Sequence, residues 1–403
     1  MKKAIFLALF CAAGWAATAQ DLPDPLTAND GKRVRTEQEW RTVRRPELRE
    51  FFEANMYGRA PQTWEQIRHF VVEEDSLALN GTATRRQIRI WWDGTPTGPY
   101  ADVLVYLPNQ VSGQIPVVLG LNFEGNHSVC TDPAIRIPEI VLQTEGKKRL
   151  DRGFDAGQWP VEEILRRGYG VATAWRNEVS LDNRARHMEG VRSVYPSLAE
   201  GDENWATVSA WAWGLSRIAD ILLQDERLDH SRLSVLGFSR LGKAALWAGA
   251  TDERFAATVS VCSGAGGAKL LHRNEGEKVH NLVGVGYWFC RNFGQYANRD
   301  TELPFDSHQM MSLIAPRALY VASATQDGYA DPPGEYAALQ LTTPVYKLLK
   351  HRTALPKAFP SPDTPVGVGT PVGYHVRTGK HDTTPQDWKA VLDFLDAYWA
   401  ILE

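Results

Sequence analysis

Five short stretches of the chain, residues 115–121, 171–174, 233–236, 257–261 and 318–322, are dominated by apolar residues and free of charge, with Thr173, Ser234, Thr258 and Ser260 as small hydroxyl-bearing members. A strand with one wet face places charged or strongly polar residues at every other position, so uncharged, mostly apolar runs of this length predict central strands of a parallel sheet covered on both sides. The intervening residues 161–167, 206–223 and 242–250 carry apolar positions at helical spacing, and 388–401 closes the chain as an amphipathic helix. Residues 86–92 and 101–107 alternate instead, as half-buried antiparallel strands do. Strands alternating with helices predict an α/β fold with a mostly parallel sheet between two helical layers. The charged and aromatic stretch from about residue 20 to 70, with a helix-like patch at 44–57, is expected to wrap that core.

The first 19 residues differ from the rest. Lys2 and Lys3 precede a mostly apolar run from Ala4 to Ala13, and Ala17-Thr18-Ala19 is a small-x-small cleavage site. That is the layout of a signal peptide, so a secreted or periplasmic protein is expected, with residues 20–403 as one catalytic domain. No other apolar run reaches the roughly 20 residues that span a bilayer. The net charge of −4 gives nothing to favour nucleic acid, and the leader removes two lysines from that balance. Beyond the leader only Cys130, Cys262 and Cys290 remain, which permits at most one internal disulfide.

In a parallel α/β sheet the loops at the carboxyl ends of the strands carry the chemistry. Three such loops are rich in reactive groups: residues 122–128, 238–243 and 325–335. The second contains Gly237-Phe238-Ser239-Arg240-Leu241-Gly242-Lys243, a serine at a strand-to-helix corner with its second glycine one place later than Gly-x-Ser-x-Gly requires. A nucleophilic serine needs a base, and the base needs a carboxylate to hold its tautomer. Asp327 follows the strand at 318–322, with Asp331 as the fallback. His375 and His381 are both expected on a loop before the last helix. The order serine, acid, histidine is that of α/β-hydrolases. His127 in the first loop is read as a structural residue with a lesser claim to an oxyanion role.

These residues, together with Ser263-Gly264-Ala265-Gly266-Gly267-Ala268, Arg273-Asn274-Glu275-Gly276-Glu277, Asp327-Gly328-Tyr329-Ala330-Asp331-Pro332 and Gly379-Lys380-His381, resemble the glucuronoyl esterases of carbohydrate esterase family 15, particularly the bacterial branch. The resemblance runs from about residue 90 to the C-terminus. It implies an α/β-hydrolase with Ser239 as nucleophile, His381 as base, Asp327 as acid and Arg240 as oxyanion stabiliser. It also implies that Lys243, Glu277 and Tyr329 contact the sugar. The implied substrate is an ester of glucuronic or 4-O-methylglucuronic acid, as in lignin–glucuronoxylan links, cleaved without metal or organic cofactor and by a monomer. Two positions depart from the family: Cys262 stands where an acid is often found, and Tyr329 where a tryptophan is usual. The alternatives are an acetyl xylan esterase and a carbohydrate-binding homologue that has lost turnover.

Overall fold

The computed structural model describes residues 22–139 and 150–402; the expected leader lies outside them. Nine strands form one sheet in the order β1-β2-β3-β5-β4-β6-β7-β8-β9. They are β1 (Arg68–Ala78), β2 (Ala83–Trp91), β3 (Tyr100–Pro108), β4 (Ile115–Asn122), β5 (Gly170–Trp175), β6 (Leu228–Phe238), β7 (Ala257–Val261), β8 (Ala318–Ala324) and β9 (Val372–Arg377). The pairs from β1 through β3 to β5 are antiparallel, and those from β5 through β4 to β9 are parallel.

Side chains alternate across a strand, and here both sets are apolar because both faces are covered. Val103, Val105, Leu319 and Val321 join one core, whereas Leu104, Tyr106, Tyr320 and Ala322 join the other. The first core is closed by the helices Thr207–Leu222, Arg240–Thr251 and Pro332–Leu348 together with the N-terminal segment. The second is closed by Val161–Arg166 and Pro385–Trp399. This is a three-layer sandwich, as the apolar runs predict.

The N-terminal segment folds into helical turns from Glu37 to Tyr57, opened by a capping box in which Thr36 and Glu39 bond each other's backbone N–H groups. Its buried stripe is Trp40, Arg44, Leu48, Phe52 and Met56, spaced by four. Four residues exceed one α-helical turn, so a uniform α-helix would rotate such a stripe away from the core. Two wider π stretches, Trp40–Arg44 and Glu53–Tyr57, offset that rotation.

Two readings from the sequence need correcting. Residues 372–377 form β9, so His375 sits on a strand and not on a loop. Residues 332–335 begin a helix, so the loop after β8 is shorter than expected. In β9 the polar residues are buried in pairs: His375 meets Asp387 at 2.9 Å and Tyr320 at 2.8 Å, and Arg377 donates to Asp387 at 2.8 Å. Cys130, Cys262 and Cys290 are all free thiols and all buried.

Phe52 is almost fully buried and packs edge-on against Phe305, with ring centroids 5.4 Å apart. Phe52→Ala is expected to cost about 3 kcal/mol or more in chemical denaturation, the usual toll of emptying a buried aromatic site. Such a loss marks the N-terminal turns as part of the core. A change below about 1 kcal/mol would mark them as a detachable wrap.

Candidate active site

The backbone leaves β6 and enters the helix Arg240–Thr251 through one residue, Ser239, at φ +55° and ψ −130°. This is a sparsely populated conformation for a residue with a side chain, held by its surroundings. Two glycines allow it. A Cβ on Gly237 would lie 2.0 Å from the Leu241 carbonyl oxygen, and one on Gly242 would lie 2.9 Å from the Ser263 side chain. The second glycine is therefore needed at 242, where the helix crosses the end of β7, while Leu241 points into the core.

At this corner Ser239 Oγ lies 3.0 Å from His381 Nε2, and His381 Nδ1 lies 2.5 Å from Asp327 Oδ2. Asp327 is on the loop after β8 and His381 on the loop after β9. Arg377, fixed by Asp387, donates to the carbonyls of Lys380 and Asp382, on either side of the histidine, at 2.9 and 3.1 Å. The Phe238 ring packs against the imidazole at 4.7 Å. Burial opposes ionisation of Asp327, but hydrogen bonds from His381, the Ala330 N–H and Cys262 hold its carboxyl below the usual range.

The rival candidates are engaged elsewhere. Asp331 accepts from Arg273 Nε at 2.7 Å and caps the helix Pro332–Leu348 through the Gly334 N–H. His375 is locked in its strand network. His127 is fully buried against Phe154 and is not among the residues lining the cleft. Cys262 is 2% exposed, with its sulfur, an Asp327 oxygen and a His381 nitrogen all within 4.8 Å of one another. Burial, followed by the nearby Glu335, Asp327 and Asp387, pushes the thiol well above its ordinary value, so it is a neutral donor beside the acid.

Ser239 opens into a cleft of about 400 Å³ that Arg240, Lys243, Glu277, Trp288, Tyr329 and His381 also line. Arg240 stacks over Trp288 at 4.7 Å and donates from Nη1 to Asp182 at 2.6 Å. Asp182 also accepts from Tyr287 and Trp288, each at 2.8 Å. Burial opposes its charge, but Arg176 and Arg240 keep its carboxyl below the usual range. Asp182 was not singled out from the sequence, although its place shortly after the central strand β5 was a usable signal. Lys243, 3% exposed, donates to Glu277 at 2.7 Å, to the Ser263 carbonyl at 2.8 Å and to the Ala265 carbonyl. All three ammonium hydrogens are then engaged. Gly276, at φ +67°, brings Glu277 against the Tyr329 backbone, where Glu277 N–H donates to the Tyr329 carbonyl at 2.7 Å. Tyr329 itself is 57% exposed.

A parallel sheet with a serine elbow after β6, and an aspartate and histidine delivered from β8 and β9, defines an α/β-hydrolase. A family model described as "Glucuronyl esterase, fungi" matches residues 161–350. Carbohydrate esterase MZ0003, from an unknown prokaryotic organism, is 39% identical over 388 residues, covering 93% of this chain and 89% of that protein. The glucuronoyl esterase of Solibacter usitatus is 38% identical, with a TM-score of 0.88 over 94% of this chain and 98% of that one. A promiscuous CE15 esterase from the marine bacterial metagenome is also 38% identical, with a TM-score of 0.85 over 94% and 96%. The chain belongs to carbohydrate esterase family 15, the glucuronoyl esterases.

Below the cleft, Glu335 is fully buried, accepting from the Gly264 N–H at 2.9 Å and the Ser323 hydroxyl at 2.6 Å. Burial raises its carboxyl to about 8 against the opposing pull of those bonds. An unfolded glutamate titrates near about 4.3, so between there and about 8 the folded state binds the extra proton. Stability from this group is then full below the unfolded value and falls as pH rises through that window. Glu335→Gln is expected to flatten the decline of melting temperature between about pH 5 and 8. An unchanged slope would remove Glu335 as its source.

Proposed function

We propose that this chain works, after export, as one catalytic unit and as a monomer, and hydrolyses esters of glucuronic or 4-O-methylglucuronic acid, as in lignin–glucuronoxylan links. The observation that carries the reading is the unbroken hydrogen-bonded line from Ser239 through His381 to Asp327, opening into a cleft that also holds the Lys243–Glu277 pair. The family of relatives named as glucuronoyl esterases supports the substrate. Among the described residues no helix is long and apolar enough to cross a membrane. The basic, apolar and small-residue layout of residues 1–19 supports export.

In this reading His381 Nε2 takes the Ser239 proton as Oγ attacks the uronoyl carbonyl carbon. The charge that develops on the carbonyl oxygen meets Arg240 and the backbone N–H groups of Arg240 and Leu241 at the start of the helix, whereas those of Gly242 and Lys243 already donate to the Ser239 carbonyl. The protonated imidazole, oriented by Asp327, gives its proton to the departing alcohol. Water, deprotonated by the same nitrogen, then attacks the acyl-enzyme, releasing the uronate and restoring the serine. Asp182 and Trp288 fix the direction of Arg240, so its guanidinium needs little reorganisation when charge appears. With its hydrogens engaged, Lys243 acts chiefly by holding Glu277 and the Ser263–Ala265 turn in place. Glu277 is the acceptor offered to ring hydroxyls. The intact line of three side chains weighs against the turnover-deficient alternative. The acetyl esterase alternative is separated by comparing methyl glucuronate with acetylated xylan.

Ser239→Ala should remove methyl glucuronate hydrolysis by several orders of magnitude without changing the melting temperature. Asp327→Ala should cost about a hundredfold or more in kcat, whereas Asp331→Ala should act mainly on stability, because its carboxylate caps a helix and pairs with Arg273. Cys262→Ala should cost less than about tenfold, since a neutral thiol has one weak donor, which lies 4.0 Å from the Asp382 carbonyl as well as beside the acid. Glu at 262 in the Asp327→Ala background should restore part of the rate. An active Asp327→Ala beside an inactive Asp331→Ala would reverse the choice of acid.

Glu277→Gln should raise KM for methyl glucuronate about tenfold while leaving an aryl acetate nearly untouched, because the lost contact is with the sugar. Equal losses on both substrates would assign Glu277 to the support of the cleft rather than to recognition.

A further inference from the structure

Behind the wall of the catalytic cleft lies a second cavity of about 490 Å³, bordered by His187, Arg192, Tyr287, Phe289, Phe293 and Arg291 among others. Tyr287 lines this space and its chain neighbour Trp288 lines the cleft, with both side chains donating to the same oxygen of Asp182. Among the described residues no aspartate or glutamate borders the cavity.

Arg192 is its unusual member. It is 2% exposed, on the short helical turn Val191–Val194. Only its Nη1 is engaged, with His187 Nδ1 at 2.7 Å, the His187 carbonyl at 3.3 Å and Thr207 Oγ1 at 3.1 Å. Its Nε and Nη2 bond no described group, and among the described residues it has no carboxylate partner. Arg291 at the rim is also without a carboxylate partner among the described residues; it donates to the Ala199 and Gly201 carbonyls. Burial first, and then the charge of Arg291, brings the Arg192 guanidinium down to about 10, so it is still charged at neutral pH. A buried charge without a counter-ion is costly, and proteins ordinarily pair it. Tyr287 and Cys290, the other acidic groups around the cavity, are pushed up to about 12 and about 11 and are neutral.

We propose that this cavity is an anion-binding pocket for a carboxylate carried on a six-membered ring. The free edge of Arg192 offers the planar fork that a carboxylate fills with two hydrogen bonds. Tyr287, Phe289 and Phe293 supply ring faces, and His187 lies stacked on Tyr287 with centroids 5.3 Å apart. The volume holds one ring. An acid sugar and an aromatic acid share this chemistry. The pocket does not depend on the reaction assigned to the cleft, because binding is read at His187 and not as turnover.

The test is a proton NMR titration of the histidines of the whole protein, with His187→Asn identifying the His187 signal. Burial and the Arg192 charge hold His187 below its ordinary value. A carboxylate on Arg192 cancels part of that charge, so sodium glucuronate or sodium benzoate should raise the His187 midpoint by about half a pH unit. Stronger binding of glucuronate marks an acid sugar as the occupant, and stronger binding of benzoate an aromatic acid; either supports the pocket. Xylose should leave the signal still, and inorganic phosphate should act at least tenfold more weakly. Arg192→Gln should weaken binding tenfold or more. If that buried substitution prevents folding, Arg291→Gln, at an exposed position bonded only to carbonyls, should still weaken binding about threefold. No response to either acid, an equal response to phosphate, or full binding by a folded Arg192→Gln or by Arg291→Gln would overturn the proposal.

Discussion

At the end of β6 the chain passes from strand to helix through one residue, and Ser239 occupies a backbone conformation that few residues adopt. The turn closes because Gly237 and Gly242 let the helix approach β6 and Ser263 at distances no Cβ would permit. Everything else at the carboxyl edge of the sheet is arranged around that corner. The helix starting there carries Arg240 and Lys243 three residues apart in its first turn, so the serine, the guanidinium and the ammonium keep a fixed relation.

The partners of the serine come from loops, and loops need anchors. Arg377 reaches from β9 to the carbonyls flanking His381, and Asp387 holds Arg377 from the first turn of the last helix. Asp387 serves that helix too, as the fourth residue of a capping box with Thr384. One carboxylate therefore ties the start of a helix, a strand and the histidine loop together. Asp327 is similarly backed by the Ala330 N–H and the Cys262 thiol. An imidazole supported in this way is held in one orientation between Ser239 and Asp327.

The sheet and its layers were legible because residues 115–121, 233–236 and 257–261 carry no charged residue and only Ser234, Thr258 and Ser260 as small polar ones, as a parallel strand buried on both faces requires. β9 was not legible, since His375 and Arg377 are polar and their burial depends on Asp387 and Tyr320, which no local pattern announces. The elbow showed in the Gly-x-Ser corner, yet the reason for glycine at 242 emerged only with Ser263 beside it. Spacing alone left Asp327 and Asp331 open, and what parts them is Arg273, 58 positions from Asp331 in the chain. Glu335 and Arg192 were silent in the sequence because a charged residue reads as exposed until its cover is known.

The loop after β8 is pinned at Asp327 by the histidine, at the Tyr329 carbonyl by Glu277 and at Asp331 by Arg273, while the Tyr329 side chain projects into solvent. Backbone and side chain at position 329 are thus decoupled: the ring can be exchanged for another without disturbing the acid two residues earlier. A tryptophan at this position would present more ring area, and a tyrosine trades that area for a hydroxyl within a frame that stays the same. A substitution there leaves the backbone bonds of the loop in place, so its effect stays at the surface of the cleft.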